Sequence, residues 1–350
     1  MGICSKGDLF SEEYLLFLSN KYRAKQLPLC GTLELTPRCN FRCKMCYVRL
    51  QPRQMKTIGA ERTAREWTDL IGQAVKEGTL LFELTGGEVL LRQDFFDIYR
   101  FIVQNGGLPI ILSNASLLDE EKIRFLAEYP PYLFSFTMYG ASNETYKKLC
   151  GIENGFDTVI RNFHMLKEAK IKLEFKMTLT KENIADYGAV REIANRNGYT
   201  LHYDYNVRNP IRGAHSEGKE LGIGLGNLPV FLDKNYHARY STGPFIRRCG
   251  AYHASFFITW DGKMSLCATA FEPFTLPWRD GFHAAWKELC RKLDAVTGPP
   301  EYENCDMKPY CNVCIGRLMA ETGSSSVCSP AFCERARLCK KALETTGNVS

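Results

Sequence analysis

Three cysteines, Cys39, Cys43 and Cys46, stand at Cys-x3-Cys-x2-Cys spacing just after the short apolar run Thr32-Leu33-Glu34-Leu35, which reads as a strand. Thiolates are soft ligands that select iron–sulfur clusters or zinc. Structural zinc closes a set of four ligands, and no fourth Cys or His lies close after Cys46. A four-iron cluster held by three protein thiolates keeps one iron for a non-protein ligand, an arrangement for chemistry rather than for stapling a fold. Zinc stays the competing reading of these three residues taken alone.

A second cysteine field begins at Cys249. It continues through Cys267, Cys305, Cys311, Cys314, Cys328, Cys333 and Cys339. Between the first two, apolar runs flank Asp261-Gly262, the pattern of a β-hairpin. Supply alone allows one or two further clusters here, or zinc on part of the set. Cys4, Cys30, Cys150 and Cys290 fall outside both fields and read as core or surface thiols. The histidines are scattered without ligand spacing and read as structural.

Alternating strands and helices must position these groups. A helix over 8–26 ends before Pro28, followed by the first strand and a cysteine loop reaching about residue 60. Trp67, Leu70, Ile71, Ala74 and Val75 mark a helix near 62–77. Strands follow at Leu80–Leu84, Pro109–Ser113, Leu133–Thr137, Lys172–Thr178 and Tyr199–Tyr205, with helices near 94–105, 119–128, 157–169 and 184–197 between them. Six strands separated by five helices argue for parallel pairing with right-handed crossovers, an α/β fold. The expected organisation is an N-terminal helical segment (1–27), a core (28–206), a glycine-rich bridge (207–247), a cysteine-rich domain (248–340) and a tail (341–350).

Composition narrows the function classes. The chain has 350 residues, 45% hydrophobic, with a net charge of +6 spread along its length. No apolar run is long enough for a membrane span, and the N-terminus lacks signal-peptide features. No basic, aromatic-interleaved run argues for nucleic acid. Fifteen cysteines without a secretion signal point to metal in a reducing cytoplasm rather than to disulfides.

The first cysteine spacing, in its place after strand one, resembles the radical S-adenosylmethionine (SAM) family. The resemblance implies a partial (β/α)6 barrel with a [4Fe–4S] cluster on Cys39, Cys43 and Cys46. SAM would bind the open iron and be cleaved reductively to a 5′-deoxyadenosyl radical. Gly86-Gly87-Glu88, after strand two, resembles the family's glycine-glycine-glutamate motif. It implies backbone carbonyls approaching the methionine ammonium, with Glu88 accepting a further hydrogen bond. Ser113-Asn114-Ala115 stands where the family often has Thr-Asn-Gly, and implies contacts to ribose or carboxylate, a strand-ending turn being the alternative. Ser135, Lys176 and Thr178 are weaker cofactor contacts. Met45 replaces the usual aromatic residue before the third cysteine and is expected to pack near adenine.

The second field resembles a reduced SPASM domain, the auxiliary-cluster module of many such enzymes. Cys249-x12-Gly262-x4-Cys267 matches its opening, while Tyr302 stands where a later cysteine would be. The resemblance implies one cluster on Cys249, Cys267 and Cys314. It implies another on Cys305, Cys311 and Cys333, with Cys328 or Cys339 completing it. Tyr139-Gly140-Ala141-Ser142-Asn143-Glu144-Thr145-Tyr146 is a further stretch that this group tends to carry.

The expected activity is modification of a peptide or protein by crosslinking, epimerisation or oxidation, with an electron donor such as flavodoxin or ferredoxin. Few residues precede strand one, so a peptide substrate is expected either to need a separate leader-recognition protein or to bind the barrel unaided. Haem-precursor processing is the alternative enzyme reading, and a non-catalytic metal-binding scaffold is the alternative of another class. No catalytic acid or base is assigned, since Asp204 and Tyr205 carry no spacing signal.

Overall fold

The computed structural model describes residues 12–224, 245–311 and 313–345. Cys4, the first residues of the expected N-terminal helix, about half of the bridge and the end of the tail lie outside the described residues. The chain opens with α1 (Glu12–Lys25), which leads through Pro28 into β1 (Cys30–Thr36). Five strands follow in order: β2 (Leu81–Gly86), β3 (Leu108–Ser113), β4 (Leu133–Thr137), β5 (Leu173–Thr178) and β6 (Leu201–Asp204). Each pairs in parallel with its predecessor, as the helical crossovers require. These six strands form the partial barrel.

The crossover helices are α3 (Ala64–Lys76), α4 (Phe95–Gln104), α5 (Glu120–Glu128), α7 (Gly155–Glu168) and α8 (Tyr187–Arg196). Helix α3 shows why they form where they do. Thr63 and Glu66 make a capping box at its start, and Trp67, Leu70, Ile71 and Ala74 put one buried stripe against the sheet. Each large side chain so buried contributes roughly 1.5–3 kcal/mol.

Two helices of the barrel part were not expected. Helix α2 (Pro52–Ile58) sits inside the cysteine loop and buries none of its residues, so no apolar period announces it. Helix α6 (Asn143–Cys150) is capped by Ser142 and closed by Gly151 in the left-handed region (φ 70°).

The hairpin expected around Asp261-Gly262 is present as β7 (Ser255–Ile258) and β8 (Met264–Ser265). It does not stand apart from the barrel. Strand β7 pairs in parallel with β1 and extends the sheet to the order β6-β5-β4-β3-β2-β1-β7-β8. Gly31 makes this docking possible, because a Cβ there would lie 2.2 Å from the Phe256 ring. The C-terminal part continues with α9 (Pro277–Asp280), α10 (Phe282–Asp294), α11 (Ile315–Thr322) and α12 (Pro330–Thr345). Trp278 meets Trp67 edge-on with ring centroids 5.0 Å apart, and the Trp286 indole donates to the Gln26 carbonyl at 2.8 Å. Core and cysteine-rich part therefore share one apolar interior. No helix among the described residues is long and apolar enough to cross a membrane.

Candidate active site

The carboxyl ends of parallel strands carry the loops that form the active face of such a sheet. Here those loops enclose a cavity of about 250 Å³. Cys39, Cys43 and Cys46 line it together with Met45. Gly86 and Gly87 line it from the end of β2, Ser113 and Asn114 from β3, and Ser135 and Thr178 from β4 and β5. Asp204 and Arg208 stand on its rim past β6, with an N–O separation of 3.6 Å. The sequence-predicted residues that do not line it are Glu88 and Lys176. The latter instead pairs with Glu174 at 2.9 Å. Tyr205 lies in a neighbouring groove.

The cysteine loop is held from two sides. On one, Gly87 N–H donates to Thr36 O and Glu88 N–H to Arg38 O, both at 2.8 Å. A Cβ on Gly86 would lie 2.2 Å from the Thr36 oxygen, and one on Gly87 2.2 Å from the Arg38 oxygen. The glycines are thus required by the backbone packing that fixes the loop before Cys39. That need is distinct from the expected approach of carbonyls to a bound ammonium. The β1–β2 register shifts between Glu34 and Thr36, turning the chain out of the sheet where the loop begins.

On the other side, α6 is the platform. Arg42 N–H donates to Cys150 O at 2.8 Å and Lys44 N–H to Leu149 O at 2.9 Å, so the loop satisfies carbonyls at the helix's C-terminal end. Phe41 packs edge-on against Tyr139 and Tyr146. Asp186 and Asn183, from the turn after β5, tie down the stretch before α6. Asp186 accepts from Ala141 N–H at 2.8 Å and Thr145 Oγ1 at 2.6 Å, and Asn183 donates to Tyr139 O at 2.9 Å. This gives the Tyr139–Tyr146 stretch a physical task, the support of the cysteine loop.

Glu88 lies behind the cavity wall, fully buried. Its carboxylate accepts from Ser113 Oγ and Asn114 N–H at 2.8 Å and from Leu90 N–H at 3.1 Å. Burial pushes its pKa up, while these three donors pull it down.

The donor set suits an iron–sulfur cluster. Cys39 Sγ accepts from Phe41 N–H and Cys46 Sγ from Arg49 N–H, each at 3.3 Å, contacts that stabilise thiolate character. Burial pushes the metal-free Cys39 thiol up to about 12 and raises Cys46 as well. Cys43 is raised first by its contact with the Cys150 thiol and then by burial. Among the described residues no three Cys, His, Asp or Glu side chains converge tightly enough to share one metal ion. A cubane cluster takes its thiolates at separate corners, so convergence on one point is not required of them. Ser135 lines this cavity, with its buried hydroxyl next to the Glu174 carboxylate.

The second field divides into two groups. Cys249, Cys267 and Cys314 lie within electrostatic reach of one another, and so do Cys305, Cys311, Cys328 and Cys333. Burial and then neighbouring charges push Cys249 up to about 11, and burial takes Cys311 to about 12. Cys339 is fully buried on α12. No described cysteine forms a disulfide.

Residues 33–193 match the profile of the Radical SAM superfamily. The chain carries a radical SAM domain across those residues. Proteins of that superfamily use SAM and a [4Fe–4S] cluster; Cys39, Cys43 and Cys46 lie within the matched residues, and the chain beyond them is cysteine-rich. Among curated proteins it is similar to the antilisterial bacteriocin subtilosin biosynthesis protein AlbA of Bacillus subtilis (strain 168). The two are 21% identical over 330 residues, covering 89% of this chain and 72% of AlbA. It is also similar to the Fe-coproporphyrin III synthase of Methanosarcina barkeri (strain Fusaro / DSM 804), 24% identical over 54% of this chain. This second match spans 47% of the synthase, about half its length. Among solved structures, Streptococcus suis SuiB bound to its precursor peptide SuiA shares the fold. Its TM-score is 0.64 at 15% identity, covering 95% of this chain and 83% of SuiB.

Proposed function

We propose that this radical SAM enzyme matures a ribosomally made peptide or a protein, by crosslinking, epimerising or oxidising a residue. The observation that carries the reading is coverage. The match to AlbA takes in 89% of the chain, more than the barrel alone can supply, whereas that to the haem-pathway relative takes in 54%. A second reading, processing of a tetrapyrrole precursor, rests on that shorter similarity.

Cys39, Cys43 and Cys46 would hold the cluster, which with SAM bound supplies the electron and the 5′-deoxyadenosyl radical that takes hydrogen from substrate. Ser135 offers a polar contact for the nucleotide, and Met45 and Thr178 shape the wall around it. The loops exclude water by packing, since Phe41, Met45 and Leu50 are nearly inaccessible. Asp204 and Arg208 sit on the rim, where a substrate side chain would first meet the cavity.

The auxiliary field is read as two clusters, one on Cys249, Cys267 and Cys314 and one on Cys305, Cys311, Cys328 and Cys333. They would take up the electron left after hydrogen abstraction or bind the substrate. Flavodoxin or ferredoxin as electron donor, a separate leader-recognition protein and a reducing, cytoplasmic setting complete the proposal. So does the division at residues 28–206 and 248–340, joined by 207–247, with 1–27 leading in and 341–350 as the tail.

The test uses candidate peptides encoded beside the gene, synthesised with deuterium at their side-chain and α-carbon positions. The proposal predicts deuterium in 5′-deoxyadenosine and a modified peptide by mass spectrometry. Deuterium arriving only from a labelled porphyrin precursor would move the assignment to the second reading.

A further inference from the structure

The loop after β3 was expected to hold the ribose or carboxylate of SAM, and its hydrogen-bond inventory argues otherwise for Asn114. A carboxamide offers two N–H donors and two acceptor lone pairs. Here all four are engaged. Asn114 Oδ1 accepts from Ser116 N–H at 2.9 Å and from Ser116 Oγ at 2.7 Å. A backbone N–H can only donate, so this contact fixes which end of the amide is oxygen. The Nδ2 end must therefore face the cysteine loop, where it donates to Asn40 Oδ1 at 3.0 Å and to Cys39 Sγ at 3.8 Å.

The geometry is locked from behind. Asn40 Nδ2 donates to Ser116 Oγ at 2.8 Å, closing a ring of three side chains from two loops. The Asn114 N–H is pinned to the buried Glu88 carboxylate, which also accepts from Ser113 Oγ. Ala115 takes the left-handed backbone (φ 59°), and its carbonyl accepts from the buried Asn162 amide at 2.7 Å. A turn with left-handed backbone at the buried Ala115, and with the Ser113, Asn114 and Ser116 side chains all hydrogen-bonded, is built to hold one orientation.

We propose that Asn114 is a positioning residue for the cluster. It donates a hydrogen bond to the Cys39 sulfur, and Glu88, Asn40 and Ser116 hold it in that pose. An N–H aimed at a cluster thiolate favours the reduced, more negative state and so raises the reduction potential. On this account Glu88 acts through Asn114 rather than on the methionine ammonium. The inference rests on a cluster at Cys39, Cys43 and Cys46. It does not depend on the substrate, so its failure leaves the peptide reading standing.

The test is an EPR-monitored redox titration of the reconstituted full chain without SAM. The first cluster is recognised by the signal that later SAM addition perturbs. Asn114→Asp keeps the acceptor for Ser116 and removes the donor to Cys39, and Asn114→Leu removes both. Each is expected to cut the reduced-to-oxidised ratio at a fixed potential by about tenfold, equal to about 59 mV for one electron. An unchanged SAM-free potential in both variants overturns the proposal, whatever SAM affinity does. If neither variant loads the cluster, pulsed EPR on wild-type chain carrying 15N only in asparagine side-chain amides decides. A 15N coupling at the first cluster supports the bond, and its absence overturns it.

Discussion

Replacing Gly87 with alanine puts a methyl carbon 2.2 Å from the Arg38 carbonyl oxygen and 2.9 Å from that of Pro37. Both contacts are backbone, so no side chain can swing away. Restoring ordinary contact requires the Arg38 peptide to retreat by about 1 Å, and a displacement of that size at a reacting group costs roughly 100-fold in rate. The same peptide accepts the Glu88 N–H and immediately precedes Cys39, so the movement goes straight to a cluster ligand. The overpacking itself costs about 1–3 kcal/mol, a few degrees of Tm for a chain this long. Gly87→Ala is therefore expected to fold, to keep its auxiliary iron and to form 5′-deoxyadenosine about 100-fold more slowly. The assay is anaerobic SAM cleavage with a chemical reductant, read by chromatography beside an iron count. A variant with the wild-type rate would refute the claim that the β2 turn sets the cysteine loop.

The other predictions concern support, charge and metal content. Asn183→Ala removes the donors to Tyr139 O and Thr178 O and the acceptor of Thr180 N–H, and should cost about 2–4 kcal/mol in urea unfolding. Unchanged stability would count against the platform under the cysteine loop. Arg212 pairs with the buried Glu34 carboxylate through both guanidinium nitrogens. Arg212→Met should cost about 3 kcal/mol or more, and adding Glu34→Leu should recover most of it. No recovery would mean that the pair does more than neutralise a buried charge. Burial pulls His253 down, with Asp294 at 3.0 Å opposing. The unfolded chain thus takes the proton first, so the contribution of His253 is present above the ordinary value of about 6.5 and lost as pH falls through it. His253→Asn, which tolerates the left-handed backbone at φ 57°, should show a smaller drop in urea midpoint between about pH 7.5 and about pH 5.5. Equal drops would contradict it. Combining Cys305→Ala with Cys311→Ala should remove about four irons of about twelve per chain. A loss of about eight would mean that the two auxiliary groups assemble together.

Periodicity announced the strands and most of the crossover helices because each strand buries β-branched, aromatic or leucine side chains between turn residues. The grouping of the late cysteines came from the SPASM resemblance, since their supply alone leaves one cluster, two clusters or zinc open. Other features depend on partners remote in sequence. The parallel pairing of β7 with β1 joins residues more than two hundred positions apart, and only the missing Cβ of Gly31 hints at it. Asn114 reads from sequence as a ligand or as a strand-ending turn, and its bonds to Asn40 and Ser116 appear only in the fold, as do the donors that meet Glu88. Helix α2 escaped because it buries nothing, and α6 because a short capped helix after a strand resembles a loop. The Arg212–Glu34 pair sits in a glycine-rich stretch where spacing carries no signal.

The most direct measurement is SAM turnover by the anaerobically reconstituted full chain and by its Cys39→Ala, Cys43→Ala and Cys46→Ala variants, with dithionite as reductant. The chain should release 5′-deoxyadenosine and methionine, and each variant should release none while keeping its auxiliary iron. Turnover that survives loss of any one of those three thiolates would contradict the assignment of the radical chemistry to this loop.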